Sequence, residues 1–158
     1  MASTQRLRPI HMLFIGNSFT QRNNLPALLA ELASARNLCV HHDLIRVGGA
    51  SLRTHWNAGQ AAKAVKTSGY DFVVLQEQST LPVKNPQRMA ENVRLFDEVI
   101  KQAGAKTVLY MTWARQHTPE AQLAITDAYQ IIGKELKAIV VPVGLAWQRF
   151  LASHDQPV

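Results

Sequence analysis

The chain has one cysteine, Cys39, in 158 residues. A single thiol can neither close an intrachain disulfide nor build a cysteine-rich metal site, so a buried core must hold the fold. Cys39 itself lies in a strand-like run, where a buried, inert thiol is expected. Long apolar runs are missing as well. No segment reaches the ~18 apolar residues of a membrane span, and no apolar leader-like stretch precedes the first strand pattern. The sequence as it stands therefore reads as cytoplasmic with no membrane partner, and a leader removed in maturation would leave no trace in it.

Runs of like charge are also lacking. The formal charge of +6 comes from 17 basic and 11 acidic residues, but Arg6, Arg8, Arg22, Arg36, Arg46 and Arg53 are scattered. No basic stripe interleaved with aromatics appears, which argues against a nucleic-acid partner. Neither G-x-x-x-x-G-K-[ST] nor G-x-G-x-x-G occurs, so the glycine loops that cradle nucleotide phosphates are absent and no cofactor is expected. His41-His42-Asp43 is the one cluster of metal-ligand types. Neighbouring strand residues point to opposite faces, so the two histidines cannot share an ion and no metal is expected. Glu77 has no spacing to Glu31 or Asp71 that suggests the carboxylate pair of a glycosidase.

What remains is an ordinary globular composition, 47% apolar and 18% charged, which fits one domain over residues 1–158. Short apolar, β-branched runs mark strands at His11–Ile15, Cys39–Val47, Phe72–Leu75, Thr107–Met111 and Ile139–Val143. Helical patterns fill the gaps at Leu25–Arg36, Thr54–Lys66, Pro86–Gln102 and Pro119–Leu136. In the first of these Leu25, Leu28, Leu29 and Leu32 share a face. Strict β-α alternation predicts a parallel sheet covered on both faces, a three-layer α/β/α domain.

In such sheets, ligands bind outside the carboxyl ends of the strands, so each strand exit is a candidate for chemistry. Strand one delivers Gly16-Asn17-Ser18. Strand two delivers Gly48-Gly49-Ala50-Ser51, whose paired glycines let a ligand approach the backbone N–H groups. Strand three ends in Gln76-Glu77-Gln78-Ser79, and strand four in Thr112-Trp113-Ala114-Arg115-Gln116-His117. Each has a bland reading beside the chemical one: Ser18 as a helix cap, the glycines as a plain turn, and Gln76 and Gln78 as solvated loop residues. His55-Trp56, Trp113 and His117 have the usual packing or cleft-lining roles as theirs. Trp113, His117 and Asn17 are the candidate substrate contacts.

Taken in order, Gly16-Asn17-Ser18, Gly49-Ala50-Ser51 and Gln76-Glu77-Gln78-Ser79 resemble the blocks of the SGNH (GDSL-like) hydrolase superfamily. The resemblance runs from about residue 11 to the end. It implies a flavodoxin-like sheet of order 2-1-3-4-5, with Ser18 as nucleophile. It further implies an oxyanion hole made of the Ser18 N–H, the Gly49 N–H and the Gln78 side-chain amide. Asn17 stands where the family usually has aspartate, Gln78 where it has asparagine, and Gln76 where it has glycine. The family's closing Asp-x-x-His does not follow the fifth strand; Ser153-His154-Asp155 has the residue types in the wrong order. The expectation is a domain truncated at its C-terminus. It would be a serine esterase for a small or carbohydrate-linked (acetyl) ester, inactive for want of its general base. The alternative is a non-catalytic domain that binds a small ligand or carbohydrate on the same fold. Lacking a final helix, one sheet face would stay uncovered and support self-association.

Overall fold

The computed structural model describes residues 8–154. Five strands form one all-parallel sheet in the order β2-β1-β3-β4-β5, as the resemblance implied. They are β1 (Ile10–Gly16), β2 (Val40–Arg46), β3 (Phe72–Leu75), β4 (Lys106–Tyr110) and β5 (Ile139–Val141). The helices are α1 (Ser18–Gln21), α2 (Leu25–Ser34), α3 (Leu52–Ala58), α4 (Gln60–Thr67), α5 (Leu81–Lys84), α6 (Pro86–Gln102), α7 (Ala121–Leu136) and α8 (Val143–Ala152), with a 3-10 turn at Arg22–Asn24. None is long and apolar enough to cross a membrane.

The pleat divides β1 into two faces. Leu13 and Ile15, with Val73, Leu75 and Leu109 of the neighbouring strands, meet Leu52, Val65, Met89, Phe96, Ile125 and Tyr129 from α3, α4, α6 and α7 in the main core. Met12 and Phe14 point the other way, into a small cluster with Leu44, Phe72, Val74, Val108 and Tyr110, all of them strand residues. Right-handed crossovers require this division, because β1 to β2 steps one way along the sheet and every later connection steps the other. The β1–β2 connection, α2, therefore lies opposite the other connecting helices.

Several expectations need correction. Leu28, Leu29 and Leu32 share a face of α2, but that face is exposed, Leu32 by 70%. Cys39 is exposed just ahead of β2 rather than buried in it. The predicted helix Thr54–Lys66 is two helices, because Gly59 adopts φ +76° and caps α3 with its N–H on the Trp56 carbonyl. Pro119 lies ahead of α7 rather than in it, and strand five stops at Val141 because Pro142 caps α8, a helix the sequence reading did not foresee. His41 also finds a partner outside its own cluster: register puts it beside His11, and the rings stack at 5.1 Å. Asp155, from the closing Ser153-His154-Asp155 run, lies outside the described residues.

Candidate active site

The first three strand exits are tied into one buried hydrogen-bond network. Asn17 leaves the sheet at φ −133°, ψ −150° and caps α1: its Oδ1 accepts from the Phe19 N–H at 3.0 Å, while its Nδ2 donates to the Ala50 carbonyl at 3.0 Å. One side chain thus shapes the first exit and fastens it to the second. Aspartate could do only the first of these, having no donor when ionised, so asparagine suits this position. The Asn17 N–H donates to Gln76 Oε1 at 3.0 Å, and Thr20 Oγ1 donates to the same oxygen at 2.8 Å. Gln76 Nε2 in turn donates to the Glu77 carbonyl. Gln76 therefore bolts the first exit to the third, in the place where the resemblance expects glycine. Gly16 makes the space. A Cβ there would lie 2.6 Å from both Gln76 Oε1 and Thr20 Oγ1.

Glu77 is the second hub, and the sequence reading missed it. Its carboxylate is buried, with Oε1 accepting from the Leu52 N–H at 2.9 Å and the Gln78 N–H at 2.7 Å, and Oε2 accepting from Asn92 Nδ2 at 2.8 Å. Arg53 Nε holds the other end of the Asn92 amide at 2.9 Å. Burial pushes the Glu77 carboxyl above its usual range, and these hydrogen bonds pull the other way. One oxygen thus joins the start of α3, just past the glycine turn, to Gln78. No sequence spacing connects Glu77 with Leu52 and Asn92, which lie 25 and 15 residues away. The available clue was a lone acid between two amides directly after a buried strand.

Ser18 opens α1, but the cap is Asn17, which removes the bland reading of Ser18 as the capping residue. It is exposed, and its hydroxyl and N–H have no hydrogen-bond partner among the described residues. Gly49 takes φ +68°, a conformation that favours glycine, and its N–H likewise has no acceptor there. Gln78 is half-buried rather than a solvated loop residue. Its Oε1 accepts from the Thr80 N–H at 2.8 Å, Thr80 Oγ1 at 2.9 Å and the Leu81 N–H at 3.0 Å. Three donors fix which end of the amide is oxygen, so the free end is the NH2.

His55 is buried and its Nε2–H donates to the Gly16 carbonyl at 2.8 Å, and His154 bonds through Nδ1 to the Phe150 carbonyl at 2.8 Å. No imidazole hydrogen-bonds to Ser18 among the described residues. Trp113 stacks on Phe19, the residue after Ser18, at 4.4 Å, and its tilted contact with Trp147 brings α8 alongside. It also lines a groove of about 600 Å³ with His117, Ser79 and the start of α7. Asn17, the third candidate contact, is only 3% exposed and serves the network rather than a ligand.

No protein-family model and no curated protein sequence matches the chain. Solved structures do. A protein from Slackia heliotrinireducens assigned as an SGNH hydrolase is 28% identical, with a TM-score of 0.76 over 90% of this chain and 83% of that one. AlinE4, an SGNH-hydrolase family esterase, is 14% identical with a TM-score of 0.72 over 96% and 86%. The acetyl xylan esterase AlAXEase is 13% identical with a TM-score of 0.70 over 94% and 87%.

Proposed function

We propose that this chain, of SGNH-hydrolase type in its fold and in the order of its three blocks, is a serine-dependent ester hydrolase acting on a small or carbohydrate-linked ester, acetyl esters among them. The neighbouring structures include esterases of that family, among them an acetyl xylan esterase. The observation that carries the proposal is the set of donors left over by the network. Asn17, Gln76 and Glu77, which tie the exits together, spend their polar groups on one another and on the neighbouring backbone, while the Ser18 N–H, the Gly49 N–H and Gln78 Nε2 have no acceptor among the described residues. Ser18 Oγ attacks the ester carbonyl and these three groups receive the tetrahedral oxyanion. Donors held in place before the charge develops cost no reorganisation when it does, and one such donor is worth about 10²–10³ in rate.

The hydroxyl needs a base to become a good nucleophile, and none of the described imidazoles bonds to it. Loss of the histidine from a complete serine triad costs on the order of 10⁶ in kcat. Acylation and deacylation both use that base, so both are slow here; an ester with a good leaving group acylates Ser18 faster than water removes the acetyl group, which therefore accumulates on Ser18. That no described imidazole bonds to Ser18 favours the second reading, a ligand-binding domain without chemistry on the same fold. p-Nitrophenyl acetate separates the two. The esterase predicts release of up to one equivalent of p-nitrophenol, an acetylated Ser18 by peptide mass spectrometry and very slow turnover after that. If Ser18→Ala releases p-nitrophenol at the same rate and the Ser18 peptide carries no acetyl group, the protein is the binder.

A further inference from the structure

The groove beside Trp113 has an inner wall and a rim of different chemistry. Inside lie buried Ile125 and half-buried Trp113, Ala114 and Ala121, whereas Lys84, Arg115 and His117 stand exposed at the mouth. Lys84 comes from α5 and Arg115 from the loop after β4, so the two cations belong to different walls. Neither makes an ion pair among the described residues, and Glu120 is the one acid facing them. The groove is also coupled to the candidate active site. Its Trp113 wall stacks on the residue after Ser18. Its α5 wall is capped by Gln78, whose oxygen holds Thr80 and Leu81 while its other end is the proposed oxyanion donor. Its volume, about 600 Å³, is that of a small-molecule pocket.

We infer that the groove takes the arm of an ester that is apolar next to the scissile bond and carries a carboxylate at its far end. Apolar surface on the inner wall favours burial of a methylene chain, and the two unpaired cations at the mouth complement a terminal negative charge. The inference rests on Ser18 as the reacting residue only for its orientation, so it can be tested by binding alone. Ser18→Ala protein, which leaves the probes intact, is titrated with monomethyl suberate and with dimethyl suberate, following tryptophan fluorescence and calorimetry.

The anionic probe binds roughly fivefold tighter, the scale of one or two exposed charge pairs, and the difference shrinks as salt screens it. Adding Lys84→Glu and Arg115→Glu reverses the preference while dimethyl suberate binds as before; Lys84→Gln with Arg115→Gln, a milder pair, removes it. Equal binding of the two probes, no binding of either, or a preference unmoved by both pairs overturns the inference. Acetylation of Ser18 by p-nitrophenyl acetate, whose acyl group carries no such arm, reports separately on the esterase reading, so either can fail without the other.

Discussion

Gly16 and Gln76 share one small volume, and the whole arrangement of exits depends on which of them has a side chain there. Glutamine in the third exit needs the first exit to lack a Cβ, and the sequence pairs them accordingly. Glu77 makes a sharper demand, because its second oxygen faces the Asn92 NH2 group, whose own oxygen is held by Arg53. Glu77→Gln sets a donor against that donor. Leaving a buried polar pair mismatched costs about 1–3 kcal/mol, so the melting temperature should fall by roughly 3–10 °C, measured by calorimetry.

The same variant carries a pH signature. Burial raises the folded-state pKa of Glu77 above its ordinary 4.5, so the folded protein holds this proton to higher pH than the unfolded chain does. Its contribution is full below the unfolded value and is lost as pH rises through the folded one. Wild-type stability should therefore decline with rising pH across that interval more steeply than that of Glu77→Gln, which cannot ionise. Parallel curves would show that burial of Glu77 is not felt. Of these residue-level features, the placing of Ser18, Gly49 and Gln78 at the first three strand exits was legible, because each stands in a short ordered block. The Glu77 hub was not, since its partners are distant in sequence and only the folded register brings them together.

At the scale of elements, the strands were readable from their β-branched runs, and α6 starts at Pro86, where proline suits the first turn. Two short helices escaped notice. α1 and α5 have four residues each, fewer than any periodic pattern needs to show itself. α8 was not foreseen either, and Gly144 in its first turn is there for close packing. A Cβ at Gly144 would lie 2.1 Å from the Thr112 carbonyl oxygen and 2.5 Å from Gln122 Nε2. The first of these is backbone, so it cannot swing aside. Gly144→Ala should push α8 off the end of β4 at a cost of about 1–3 kcal/mol. Its optical sign is a change in tryptophan emission as Trp147 leaves Trp113. An unchanged spectrum and melting temperature would show that α8 has room to spare.

The two sides of the whole molecule are unequal. One sheet face is sealed by four helices, whereas the cluster on the other holds three buried residues, Phe14, Val74 and Val108. Apolar surface stays in contact with solvent at Leu28, Leu29 and Leu32 on α2 and at Leu145, Phe150 and Leu151 on α8. Exposed apolar side chains clustered on a helix face tend to find a partner. The protein should accordingly self-associate with rising concentration in sedimentation velocity runs. Leu28→Glu with Leu32→Glu should shift it to monomer with a melting temperature within a few degrees of wild type, since neither side chain packs in a core. A monomer at every concentration would contradict this.

The central claim is that Ser18 is the residue that attacks, with its own N–H, the Gly49 N–H and Gln78 Nε2 as the donors for the oxyanion. A fluorophosphonate tests it most directly, because its phosphonyl oxygen takes the place of the oxyanion once a hydroxyl has attacked. After prolonged incubation and peptide mapping, the adduct should lie on Ser18 and not on Ser34, Ser51, Ser68, Ser79 or Ser153, and Ser18→Ala should remain unlabelled. An unmodified Ser18 in the wild-type protein, or a label spread over the other serines and unaffected by Ser18→Ala, would contradict the assignment.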